Sequence, residues 1–198
     1  MIRRSFLKVL AVAGLAFAAP AVAQDIDPAN VLVLEIAGEA NGTVEILLRP
    51  DVAPLHVAQI KALAREELYD GVAFHRVMEG FMAQTGDVQF AMAEGYSPVR
   101  AGMGSSNLPN IPAEFSDLHF AAGVVGMARS NDPNSANSQF FIMFDDAGFL
   151  DGKYTVFGRV VEGMDVINAI KRPVSGEVLQ ENPDYIARAY IKADGAPE

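Results

Sequence analysis

The stretch Phe74-His75-Arg76-Val77-Met78-Glu79-Gly80-Phe81-Met82-Ala83-Gln84-Thr85-Gly86-Asp87 decides how this chain is read. Short apolar runs on either side of Glu79-Gly80 give a strand-turn-strand pattern. Side chains alternate along a strand, so Phe74 shares a face with Arg76, and Met82 shares one with Gln84. A guanidinium, an amide and a thioether then line one cleft, a combination too specific for a plain core.

Two further blocks lie downstream. The first is Gly126-Met127-Ala128-Arg129-Ser130-Asn131-Asp132-Pro133-Asn134-Ser135-Ala136-Asn137-Ser138-Gln139-Phe140-Phe141-Ile142-Met143. The second is Phe149-Leu150-Asp151-Gly152-Lys153-Tyr154-Thr155-Val156-Phe157-Gly158-Arg159-Val160-Val161-Glu162-Gly163-Met164. In order and spacing the three blocks resemble the cyclophilin-type peptidyl-prolyl cis-trans isomerases, with FHR and GFMxQxGD in the first, a polar loop closed by SQFFI in the next, and LDGxxxVFG in the last. The similarity runs from about residue 31 to about residue 191 and is faintest over 88–116. It implies a mainly β fold, a closed eight-stranded antiparallel β-barrel capped by two α-helices. It also implies acceleration of rotation about X-Pro bonds, with Arg76, Phe81, Met82 and Gln84 forming the proline site. In that reading the backbone of Ala128, Arg129 and Ser130 pairs with the bound peptide, and Phe149 and Tyr154 border the site. Three positions depart from the family's habit: Phe149 stands where a cyclosporin-binding tryptophan is common, Tyr154 where a histidine is common, and Arg129 where an asparagine is common. Weak cyclosporin binding is the expectation.

The residues themselves fit that chemistry. Twisting an X-Pro bond destroys amide resonance and needs neither a nucleophile nor proton transfer, so neither cofactor nor metal is expected. The prolyl nitrogen's lone pair localises as the bond twists, and a donor aimed at it binds the twisted form better than either planar isomer. Arg76, always charged and rich in fixed N–H groups, is the candidate donor. Phe81, Met82, Phe141 and Leu150 suit a pyrrolidine ring, and Gln84 would hydrogen-bond the substrate backbone. Alternation puts Gln139 and Phe141 on one face of a strand and Phe140 and Ile142 on the other. Taken singly, the apolar four read as ordinary core and Arg76 as a surface ion pair with Glu79 or Asp87. A proline-peptide binding or chaperone module with incidental isomerase activity is the alternative.

Composition limits the other possibilities. The chain has 198 residues, 51% of them hydrophobic, which suits one domain with a terminal extension. A formal charge of −10 argues against a phosphate-binding surface, so nucleic acid is not an expected partner. There is no cysteine, and the three histidines, His56, His75 and His119, are scattered without a metal-binding spacing. The expected partners are unfolded or flexible proline-containing polypeptides, met by a monomer.

Residues 1–23 read as a secretory signal peptide: Arg3, Arg4 and Lys8 precede an alanine-rich apolar run that ends at Ala21-Val22-Ala23. The run Arg3-Arg4-Ser5-Phe6-Leu7-Lys8 also resembles the twin-arginine export motif, although Ile2 departs from its usual Ser or Thr. Either route leads to a periplasmic or secreted protein, with residues 24–198 as its cyclophilin-like domain. Cleavage removes three basic residues and takes the formal charge to about −13, which disfavours membrane association.

Periodicity places strands over 31–36, 43–48, 74–77, 82–85, 124–128, 139–143, 155–160 and 185–191. A helix is predicted from Asp51 and Pro54 to before Tyr69, with Leu55, Ala58, Ile60, Ala62 and Leu63 near helical spacing, and a shorter one over 164–171.

Overall fold

The computed structural model describes residues 26–173 and 181–197, so the expected signal peptide lies outside the described residues. Chain order begins with β1 (Val31–Ala37) and β2 (Gly42–Leu48), the hairpin expected from their β-branched content. On β2 the buried residues Val44, Ile46 and Leu48 alternate with more exposed neighbours, so one face turns to the core and the other outward. The turn between the strands is tied down from far along the sequence. Buried Asp184 accepts hydrogen bonds from the backbone N–H groups of Glu39 (2.5 Å), Ala40 (3.1 Å) and Lys171 (2.7 Å).

Helix α1 spans Pro54–Arg65 with Pro54 in its first turn, where a missing N–H costs nothing. Its buried stripe is His56, Val57, Ile60, Leu63 and Ala64, whereas Leu55, Ala58 and Ala62 face outward or lie at the edge. Asp51 does not cap it. The carboxylate of Glu114, distant in sequence, accepts the N–H groups of Leu55 (3.1 Å) and His56 (3.0 Å), satisfying donors that every helix start leaves open.

The remaining strands are β3 (Val72–Ala73), β4 (Arg76–Met78), β5 (Met82–Thr85), β6 (Val124–Met127), β7 (Phe140–Met143), β8 (Val156–Glu162) and β9 (Tyr185–Ile191), with α2 (Met164–Ala169) before the last. They form one curled sheet, antiparallel at every pairing, in the order β3-β9-β1-β2-β8-β6-β7-β5-β4. The expected count of eight becomes nine, because the predicted strand over 74–77 breaks at its start. Phe74 and His75 pair in no ladder; they carry the chain from β3 at one end of the sheet to β4 at the other. For the same reason Phe74 and Arg76 do not share a face: Phe74 is fully buried in the main core, while Arg76 points into a cleft. No ladder joins β3 to β4 among the described residues. The Thr85 hydroxyl, on β5, donates across this seam to the Ala73 carbonyl at 3.0 Å. The inner face is filled by Leu32, Leu34, Ile46, Ile60, Phe140, Phe157 and Ile186, among others.

Candidate active site

Register places the site. Arg76 on β4 lies opposite Gln84 on β5, Gln84 opposite Phe141 on β7, and Phe141 opposite Gly126 on β6, so four residues form one cross-strand row. Partners on adjacent strands share a face, which sets a cation, an amide and an aromatic ring side by side. The tight β4–β5 turn depends on Gly80, whose φ of +67° is costly for any residue with a Cβ. Gly126 has a different duty. A Cβ there would lie 2.6 Å from the rings of both Phe120 and Phe141, so its hydrogen leaves the space in which those rings stack, centroids 5.8 Å apart.

Above this row opens a cavity of about 240 Å³ lined by Arg76, Phe81, Met82, Gln84, Ala128, Arg129, Phe141, Phe149, Leu150 and Tyr154. The structure thus gathers all but Ser130 and Gln139 of the residues singled out in the sequence around one space. Met82, Phe141 and Leu150 are buried walls, whereas Phe149 is a lip, 62% exposed, its ring tilted at 34° to that of Phe81 with centroids 5.6 Å apart. Tyr154 meets Phe141 edge-on at 5.8 Å and carries the Arg129 guanidinium 4.4 Å above its ring. Arg129 donates to the carbonyls of Ser130 and Lys153, both at 2.8 Å.

Gln139 and Ser130 lie next door. They line a more polar cavity of about 320 Å³ together with Gly102, Met103, Ser105, Asn110 and Asn137. A line of hydrogen bonds connects the two spaces. Arg76 Nη1 donates to Gln84 Oε1 (3.4 Å), Gln84 Nε2 to Gln139 Oε1 (2.9 Å), and Gln139 Nε2 to the carbonyls of Gly102 (3.0 Å) and Gly104 (2.8 Å). Arg76 Nη2 also lies 2.9 Å from the Met78 sulfur. Each link orients the next, so the guanidinium is held in place rather than left to sample rotamers. Among the described residues no carboxylate lines either cavity.

The second cavity escaped sequence reading because its outer wall comes from 88–116, where no apolar period exists. Asp87 organises that segment. Its Oδ1 accepts Gln89 N–H (3.1 Å) and Phe90 N–H (2.8 Å), and its Oδ2 accepts Gly102 N–H (2.7 Å) and Gly104 N–H (3.0 Å). Asn137 does similar work, accepting from Ser106 N–H (2.8 Å) and donating to Leu108 O (2.9 Å). His75 borders neither cavity. It is buried behind the loop, and burial pushes its pKa down to about 4, so its ring is neutral at physiological pH.

Comparison with known proteins bears on the family and the fold. A family profile described as "Cyclophilin type peptidyl-prolyl cis-trans isomerase/CLD" matches residues 31–191. A "Probable peptidyl-prolyl cis-trans isomerase" of Brucella suis is 54% identical over 193 residues, which is 96% of this chain and 97% of that one. A peptidyl-prolyl cis-trans isomerase of Acinetobacter baylyi is 34% identical over 71% of this chain and 73% of its own. Among solved structures, a cyclophilin from Hirschia baltica superposes with a TM-score of 0.71 at 33% identity, covering 87% of this chain and 77% of that one. A Cryptosporidium parvum cyclophilin solved in the presence of the dipeptide Ala-Pro shares the fold at a TM-score of 0.69 and 23% identity, over 81% of this chain and 98% of that one. Profile, relatives, fold and clustered motif residues together place this chain in the cyclophilin-type peptidyl-prolyl cis-trans isomerase family.

Proposed function

We propose that this chain accelerates cis-trans rotation about X-Pro bonds in unfolded or flexible polypeptides, with Arg76 stabilising the twisted amide. The observation that carries this is the row Arg76–Gln84–Phe141, which holds a cation at the edge of an apolar cavity. The proline ring sits among Phe81, Met82, Phe141 and Leu150, Phe149 closes over it, and Gln84 and Gln139 take the neighbouring peptide groups. Ala128 and Arg129 border the peptide through their backbone. As the bond rotates, the guanidinium donates to the prolyl nitrogen, which offers a lone pair only in the twisted form. Shortening a step of tens of seconds to milliseconds requires a factor on the order of ten thousand, about 5.5 kcal/mol. A charge-assisted donor in a poorly hydrated cleft, with the substrate held in one geometry, reaches that magnitude. No cofactor enters any step.

The finer architecture follows the same reading. Counting β3 and β4 as one strand bent at Phe74-His75 makes the sheet an eight-stranded closed barrel. Residues 1–23 are an export signal, and the mature protein from Gln24 works as a periplasmic or secreted monomer; N-terminal sequencing of the exported protein tests the cleavage point. The central test compares wild type with Arg76→Ala in a protease-coupled X-Pro isomerisation assay, with the fold checked by circular dichroism. The expected loss in kcat/KM is about a hundredfold, or 2.7 kcal/mol of transition-state stabilisation. Full activity in a folded Arg76→Ala variant overturns the role of Arg76, and no acceleration by the wild type overturns the isomerase itself.

A further inference from the structure

The segment 145–151 carries two walls of the proline cavity, Phe149 and Leu150, yet it belongs to no strand. It reaches the neighbouring 116–121 segment through Ala147 N–H to the Phe120 carbonyl at 2.8 Å, and through His119. The ring of His119 lies between two carboxylates of the segment, with Nε2 at 2.5 Å from Asp146 and Nδ1 at 2.7 Å from Asp151. The other Asp151 oxygen accepts Phe120 N–H at 2.9 Å. A neutral imidazole carries one N–H, so two donor bonds to two carboxylates require the protonated ring. Gly148 packs over the ring's edge, an ideal Cβ there falling 3.3 Å from His119 Cε1.

We propose that His119 is a positioning residue for the proline cavity: its protonated ring braces Asp146 and Asp151, sets the turn that presents Phe149 and Leu150, and releases that turn when it loses its proton. This rests on the isomerase reading of the cavity. The hydrogen bonds of Asp151 and then Asp146 raise the His119 pKa to about 9, so the ring is charged at neutral pH. The charges facing the ring are these two carboxylates. Asp145 turns back to accept the N–H of Asp146, and the Lys153 ammonium is engaged with the Phe149 carbonyl at 3.0 Å. Because the folded value lies above the ordinary 6.5, the brace is at full strength below pH 6.5, weakens as pH rises, and is gone once pH passes about 9.

The experiment has two readings. The first is kcat and KM for an X-Pro peptide between pH 6 and 10 for wild type, His119→Gln and Asp146→Asn; the Asp146 side chain is 63% exposed, so that substitution leaves the core untouched. The wild-type KM is expected to rise about threefold across this range with little change in kcat, while both variants show the raised KM already at pH 7 and a flatter profile. A wild-type KM independent of pH, or variants equal to wild type at pH 7, overturns the proposal. The second is direct NMR titration of the His119 ring, which does not depend on turnover. If the wild type fails to isomerise at all, the isomerase reading falls and this titration decides the brace: a midpoint well above 8 supports it, and one near 6.5 overturns it.

Discussion

Replacing Asp87 by asparagine tests how the wall of the polar cavity is held. The fully buried carboxylate accepts four backbone N–H groups, two on each oxygen. Asparagine keeps one oxygen and puts an NH₂ where the other was, so whichever way the amide turns, one pair of N–H donors faces another donor. Two hydrogen bonds to a charged acceptor are lost, each worth about 1.5–3 kcal/mol, giving an expected cost of roughly 3–5 kcal/mol after some relaxation. That is a large part of a total stability of about 5–15 kcal/mol. With a urea m-value of about 2 kcal/mol/M the unfolding midpoint should fall by about 1.5–2.5 M. Asp117→Asn, at an exposed position, serves as the control and should change nothing. The variant should also lose kcat/KM, because Gln139 is anchored on the Gly102 and Gly104 carbonyls of the same loop. An Asp87→Asn midpoint within 0.3 M of wild type would refute the claim that this carboxylate holds the loop.

Other perturbations follow from the same geometry. Gly126→Ala forces a methyl against Phe120 and Phe141, so stability should drop by about 1–3 kcal/mol and kcat/KM by on the order of ten- to a hundredfold; a cavity-preserving structure with unchanged kinetics would contradict this. His56 has its pKa lowered by burial, and its Nε2 has no partner among the described residues, so protonation would strand an N–H in the core. Burial works against ionised Glu114, but the His56 ring and the α1 N–H groups overcome it and hold its carboxyl below the ordinary 4.5. Both signs agree: stability should fall as pH drops below about 6.5, and fall further as Glu114 protonates, a profile that urea midpoints from pH 7.5 to 4 would trace. Glu114→Gln should remove most of the lower step. Phe149→Trp supplies an indole N–H at the lip of the cavity and should tighten cyclosporin binding about tenfold by calorimetry, the worth of one hydrogen bond; no gain would refute the expectation that Phe149 limits that binding.

Where a residue's partner is near in sequence, or its pattern repeats, its place was legible. The β1–β2 hairpin, the span of α1 and the alternation that sends Phe140 inward and Phe141 to the cleft all depend on local period. What was not legible depends on distant partners. Nothing around Pro54 announces that Glu114 caps its helix, and the break at Phe74-His75 is imposed by the need to carry one chain between two sheet edges rather than by those residue types. The polar cavity was invisible because hydrogen bonds to Asp87 and Asn137, not apolar spacing, shape the loop that walls it. His119 carried no sequence signal either, since its two aspartates are meaningful only once the turn at Gly148 has folded.

The place of β9 in the sheet has a consequence for how the molecule comes into being. The last strand among the described residues is inserted between the first, β1, and β3, so until Tyr185–Ile191 arrives both of those strands present bare edges. An incomplete chain therefore holds most of its hydrophobic residues but cannot seal them, and exposed edges of this kind invite pairing with other chains. Completion must wait for β9, and its pairing with β1 joins segments far apart in sequence, which slows folding compared with a fold of local contacts. A protein that moves other chains past a slow step thus carries one of its own, set by the order in which its strands are made.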